Sequence, residues 1–203
     1  MARTPGTTKA ETHERILRSA GKAIRKKGFA STSVGDVMRD AGLTHGGFYA
    51  HFDSREAMLA EALDLAAGDS MTSLLGKATV AAAQQHVHPL EALVKLYLSD
   101  AAVAATDAGC TIASLGGETR RQNPEIRHAA TRRITELAAA IGQVGSTRPG
   151  SPDPYATLSA LVGALVIARI VDEPELSQRI RDAAARLALG DAPAGADATS
   201  KPT

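Results

Sequence analysis

Four of the places in this chain where a polar residue is followed by proline stand out: His88-Pro89, Asn123-Pro124, Asp153-Pro154 and Glu173-Pro174. Each pair opens onto a stretch in which apolar residues recur three and four positions apart, as in Leu90, Leu93, Val94, Tyr97 and Leu98. Proline has a fixed φ and no N–H to lose, so it suits the first position of a helix. The spacing behind it is that of an amphipathic helix. Composition points the same way: of the 44% hydrophobic residues, 40 are alanines, against no Trp, three Tyr and three Phe. Alanine is the best helix former, whereas strands draw on β-branched and aromatic residues. No strand-like alternation of useful length and no internal repeat is present. The chain is predicted to be all-α with about nine helices, and a β-sandwich or barrel is excluded.

The N-terminal part has the same punctuation on a smaller scale. Ile16, Leu17, Ala20, Ala23 and Ile24 set a helix over 13–27, with Arg25, Lys26 and Lys27 in its last turn and Gly28 as its cap. Ser31, Thr32 and Ser33 offer caps for a second helix of about eight residues with Val34, Val37 and Met38 inward. Gly42 stops it, Leu43 is a buried turn residue, and Thr44 caps a short third helix, His45 to His51. Asp53 and Ser54 then open a fourth that runs into the 70s. Cys110 to Arg121 and Glu125 to Val144 read as two further helices, with a loop over 145–152.

Charge is uneven. Residues 1–60 hold ten Lys/Arg against six acids, so a net +4 sits on the N-terminal part of a chain whose total is +1. A local basic excess suits a polyanion contact. The single cysteine, Cys110, excludes an intramolecular disulfide and fits a reducing cytoplasm. No signal peptide is readable behind Met1, and the longest apolar run, Leu158 to Val171, contains Arg169 and is too short to span a bilayer. A cytoplasmic protein is expected.

The chemistry concentrates where four of the six aromatics fall, Phe29, Phe48, Tyr49 and Phe52. A helix, a Gly42-Leu43-Thr44 turn and a second helix form the arrangement of a helix-turn-helix. Gly46 and Gly47 let backbone approach DNA closely, although each weakens a helix by about 1 kcal/mol. His45 beside them can reach a base edge or a phosphate, Tyr49 and His51 lie at the far end, and Thr44 and Ser33 bring hydroxyls and helix N-termini near phosphates. Phe48 and Phe52, four apart, belong to the core of this small domain.

Residues 12–59 resemble the DNA-binding domain of the TetR (tetracycline repressor) family. The matching elements are Arg15-Ile16-Leu17 with Ala20, Gly28-Phe29, Thr32-Ser33-Val34, Ala41-Gly42-Leu43-Thr44, Gly47-Phe48-Tyr49, His51-Phe52, and Arg55 with Leu59. The resemblance implies a homodimeric, ligand-responsive regulator, most often a repressor on a palindromic operator, with no catalytic role, cofactor, metal or membrane. Carried over by position, Thr44, Tyr49, His51 and Arg55 contact phosphates, His45, Gly46 and Gly47 face bases, and Thr32 and Ser33 anchor the second helix. Lys9 and Arg3 are placed at the adjacent minor groove. Domains are expected at 1–55 (arm and helix-turn-helix), 56–189 (ligand binding and dimerisation) and 190–203 (a low-complexity, disordered tail).

The resemblance further places a dimer surface on the last two helices, with Leu158, Leu161, Val162, Leu165, Leu176, Ile180 and Ala184 as its residues. An effector pocket is assigned to Met71, Leu75, Leu93, Leu96, Tyr97, Cys110, Leu115 and Ile134. Few charges fall among these, so an apolar or neutral effector is expected. The Gly109–Leu115 segment is similar to one found in a thiol-bearing branch of the family, which makes Cys110 a candidate electrophile or oxidant sensor, with Arg120 and Arg121 as nearby cations. A helical thiol enzyme pairing Cys110 with His86 or His88 is the competing class. It lacks a phosphate-cradling loop, a nucleophile elbow or a readable carboxylate pair. His86 and His88 themselves have no partner at metal-site spacing and are read as loop residues.

Overall fold

The computed structural model describes residues 8–105 and 107–191. Nine α-helices and one 3-10 helix make up the regular structure of the described residues. They are α1 (Lys9–Lys27), α2 (Val34–Asp40), the 3-10 helix (His45–Ala50), α3 (Arg55–Gln85), α4 (Pro89–Tyr97), α5 (Asp100–Ala104), α6 (Thr111–Thr119), α7 (Pro124–Gly145), α8 (Pro154–Ile170) and α9 (Pro174–Leu189). Arg3 and residues 192–203 of the expected tail lie outside the described residues.

All four prolines open helices. Asp153 caps α8 by accepting from the N–H groups of Tyr155 and Ala156, and Asn123 accepts from Ile126 at 3.1 Å. His88 caps α4 through Nδ1 while its Nε2 meets Thr147 at 3.0 Å. Both ring nitrogens are thus engaged. α1 starts at Lys9, four residues before the predicted start at residue 13. There Thr8 and Glu11 form a capping box, each satisfying the other's N–H. The short α5 has no counterpart in the sequence reading.

The chain forms two compact units, and the division differs from a boundary at residue 55. One unit takes Met1–Ser73 with Ala105–Glu136, the other Leu74–Ala104 with Leu137–Thr203. Apolar side chains drive this. Met58, Leu59 and Leu63 of α3, Leu115 of α6, and Ile126, Ala129 and Ala130 of α7 share one buried cluster with Ile16, Ile24, Phe29, Phe48 and Phe52.

In the second unit α8 packs along α9, and α4 meets both. Arg181, only 7% exposed, donates to the carbonyls of Leu98 and Ser177 and to Asp100, and so satisfies the C-terminal end of α4.

Candidate nucleic-acid interface

The site is built on a break in helical structure. Gly28 takes a φ of 78° and ends α1, its N–H returning to Ile24 O at 2.8 Å. Three residues of turn follow, and Ser33 caps α2 by accepting the Asp36 N–H at 3.1 Å. The Asp36 carboxylate is held at a pKa of about 2 by the Ser33 hydroxyl, then by Arg39 and Lys27. α2 ends at Ala41, Gly42 reverses the chain at φ 70°, and Leu43 N–H closes the turn on Met38 O at 2.8 Å. This confirms the helix-turn-helix geometry expected of that segment.

The element after the turn is a 3-10 helix, His45–Ala50, where an α-helix was predicted. Two successive glycines give the backbone little helical preference, while Phe48 and Phe52 must both reach the core. They do: Phe48 is 1% exposed, and its ring lies 5.5 Å from that of Phe52. With the aromatics inward, the opposite side is bare. Thr44, His45 and Gly46 are exposed, and Tyr49 is 73% exposed although it stands next to a buried phenylalanine. A Cβ at Gly46 would meet nothing within 4 Å, so the space beside it faces solvent. Thr44 makes no side-chain capping bond, contrary to expectation, which leaves its hydroxyl at the surface.

Three of the residues carried over as DNA contacts sit otherwise than expected. Thr32 is 1% exposed and donates to Gly28 O at 2.8 Å, so its side chain stabilises the turn from inside. Arg55 turns inward as well, with Nε donating to Thr32 O at 3.0 Å and Nη2 to Phe29 O. Its remaining Nη1 pairs with Glu56 at 3.2 Å, and the side chain is partly exposed. His51 is half-buried; its Nδ1 is enclosed without a hydrogen-bond partner, and its ring lies 5.9 Å from that of His13. Burial, then the neighbouring His13 and Lys9, push its pKa below the ordinary imidazole value of 6.5. A neutral His51 can donate one hydrogen bond but brings no positive charge. His13, which sequence reasoning passed over, stacks on Phe52 at 4.5 Å and pairs with Glu61 at 2.9 Å.

A family model described as bacterial regulatory proteins, tetR family, matches residues 16–62, the segment just described. Residues 16–62 are thus similar to the DNA-binding segment of that family. An uncharacterized HTH-type transcriptional regulator of Mycobacterium tuberculosis (strain ATCC 25618 / H37Rv) is 29% identical over 168 residues, 77% of this chain and 84% of that protein. The uncharacterized HTH-type transcriptional regulator YerO of Bacillus subtilis (strain 168) is 38% identical over 64 residues. That match takes in 32% of this chain and only 22% of YerO's length. Among solved structures, a TetR-family transcriptional regulator from Cytophaga hutchinsonii superposes with a TM-score of 0.71 at 22% identity, over 90% of this chain and 96% of that one. The likeness of fold covers most of the chain, and the match over residues 16–62 supports a DNA-binding transcriptional regulator.

The other carried-over sites fare unevenly. Four of the assigned dimer residues, Leu158, Leu161, Leu165 and Ala184, are at most 8% exposed within the single chain, so they are core and not interface. The apolar groups that α8 and α9 leave bare are Tyr155, Ile167, Ile170 and Leu187. Sequence shows that α8 is apolar nearly all round; only packing shows which side is covered. Of the pocket assignments, Leu115 belongs to the aromatic cluster, and Leu93 and Tyr97 are buried in the second unit. Two surface clefts of 320 and 470 Å³ are lined by none of the eight residues.

Cys110 stands at the N-cap position of α6 without a side-chain capping bond and is partly exposed, with Arg120 and Arg121 beyond the far end of that nine-residue helix. Next to Cys110, Thr111 buries a hydroxyl with no hydrogen-bond partner, a polar group that periodicity could not single out. Among the described residues no cluster of His, Cys, Asp and Glu could hold a metal, and no helix is long and apolar enough to cross a membrane.

Proposed function

We propose that the chain is a repressor that binds a palindromic operator as a homodimer and is released by a small effector. The observation that carries it is the split face of residues 44–52, in which Phe48 and Phe52 are anchored while Thr44, His45, Gly46 and Tyr49 stand bare. His45, Gly46 and Gly47 meet base edges in the major groove. Thr44, Ser33 and Tyr49 meet phosphates, with His51 as a neutral donor. Thr32 and Arg55 support this face from behind.

Dimerisation uses Tyr155, Ile167, Ile170 and Leu187 with the half-buried Val162, Leu176 and Ile180, so that two copies of α8 and α9 form a four-helix bundle. Two reading heads then address half-sites about 34–36 Å apart, or a simple multiple. The effector is apolar or neutral, and the unpaired Thr111 hydroxyl gives it one polar anchor. It must bind the DNA-incompetent form more tightly, and DNA weakens its binding by the same factor. The protein acts in the cytoplasm.

The test is a gel shift of the full chain on the DNA upstream of its own gene, titrated with salt. Specific binding to a palindromic segment, falling steeply as salt rises, supports the reading. Absence of binding at low and moderate salt overturns it.

A further inference from the structure

Nothing on the DNA-reading face accounts for Glu118. It lies in the last turn of α6, 89 residues beyond Phe29, yet its Oε2 accepts the Phe29 N–H at 3.0 Å. That N–H needs a partner because Gly28 has just broken α1, so the α-helical ladder stops one residue short of it. The fit is close. A Cβ on Gly28 would fall 2.6 Å from Glu118 Oε2, so the carboxylate occupies the space a side chain would take.

The same residue is held through its carbonyl by Arg55, which donates to Phe29 O and Thr32 O. A second tie joins α1 to the segment leading into α6, where Arg25 Nε donates to Asp107 O at 2.7 Å. The turn that sets the direction of α2 is therefore fixed by two helices, α3 through Arg55 and α6 through Glu118. The two supports are unequal. Glu118 follows Gly116 and Gly117, and a Cβ at either would meet nothing within 4 Å. Packing does not require glycine there, and each glycine makes the last turns of α6 easier to unwind.

We propose that Glu118 is a positioning residue for DNA binding. Its carboxylate, carried on a glycine-weakened helix end, fixes the α1–α2 turn and with it the angle at which the reading head leaves α1. Operator affinity then depends on the last turn of α6 being wound. The inference rests on the reading of the chain as a DNA-binding regulator.

The experiment uses the full chain and a duplex that the wild type enriches from a random-sequence library. Amide hydrogen exchange over residues 28–33 is followed without DNA. E118A is expected to speed exchange at Phe29 and to weaken duplex binding about tenfold, the worth of one hydrogen bond to a charged group. E118Q, which keeps an acceptor on a chain of equal length, is expected to restore most of both. The double variant G116A/G117A, far from any DNA contact, is expected to slow exchange at Phe29 and tighten binding. Wild-type affinity in E118A overturns the proposal even if Phe29 loses protection, because the contact is then structural only. Failure of E118Q to rescue, in a chain that stays folded, overturns it too. Failure of the wild type to enrich any duplex overturns the DNA-binding reading itself, and the proposal with it, whatever the exchange data show.

Discussion

Arg55 shows how far a residue's type can mislead about its work. A cation next to a DNA-reading segment suggests a phosphate contact, yet its fork fits two carbonyls of the α1–α2 turn. Arg55→Lys, whose compact ammonium lacks the planar fork that spans both carbonyls, is expected to lower stability by about 1–3 kcal/mol in denaturant unfolding and to leave the salt slope of DNA binding unchanged. His51 has the opposite problem, a titratable ring kept neutral. Its folded pKa lies below 6.5, so at lower pH the unfolded chain binds more protons and stability falls as pH drops through 6.5. His51→Gln should flatten thermal stability between pH 7 and 5; an unchanged slope would refute the assignment. Asp36 works in a more acidic window. Its pKa of about 2 means that its contribution is complete above the ordinary carboxylate range and is lost between about pH 4 and 2. Asp36→Asn is therefore expected to be less stable than wild type at pH 7 and equal to it near pH 2.

The 3-10 helix owes its geometry to what its neighbours demand. Thr44 to His51 were legible as a helix after a turn, because Gly42 and the Phe48–Phe52 spacing are local signals. Its tight winding was not, since it depends on both rings reaching one core cluster. Phe48→Ala is expected to destabilise the chain by about 3–5 kcal/mol through the cavity it leaves. Tyr49→Ala, at a residue 73% exposed, should leave the melting temperature unchanged and weaken duplex binding across sequences. His45→Ala should instead relax base preference.

For the molecule, the proposed dimerisation through α8 and α9 rests on which of their apolar groups are left bare. Leu161 and Ile170 lie nine residues apart on one helix, the first fully buried and the second 74% exposed. Ile170→Glu is therefore expected to yield folded monomers in sedimentation experiments, with duplex binding lost at concentrations where the wild type binds. Leu161→Ala should lower stability by about 2–5 kcal/mol while leaving any dimer contact in place.

Local rules determined much of this protein. Proline at helix starts, glycine at φ values near 70–80°, alanine content and the 3.6-residue period need only neighbours in sequence, so the all-α class, the helix-turn-helix and most helix limits could be read directly. Tertiary structure decided which of several equivalent apolar faces is covered, which put Leu158, Leu161 and Leu165 inside and left Ile167 and Ile170 out. It also decided that Thr32 and Arg55 bond to backbone and that Glu118 meets Phe29. These outcomes turn on contacts between residues far apart in the chain, whose energies depend on burial and geometry that no local pattern encodes.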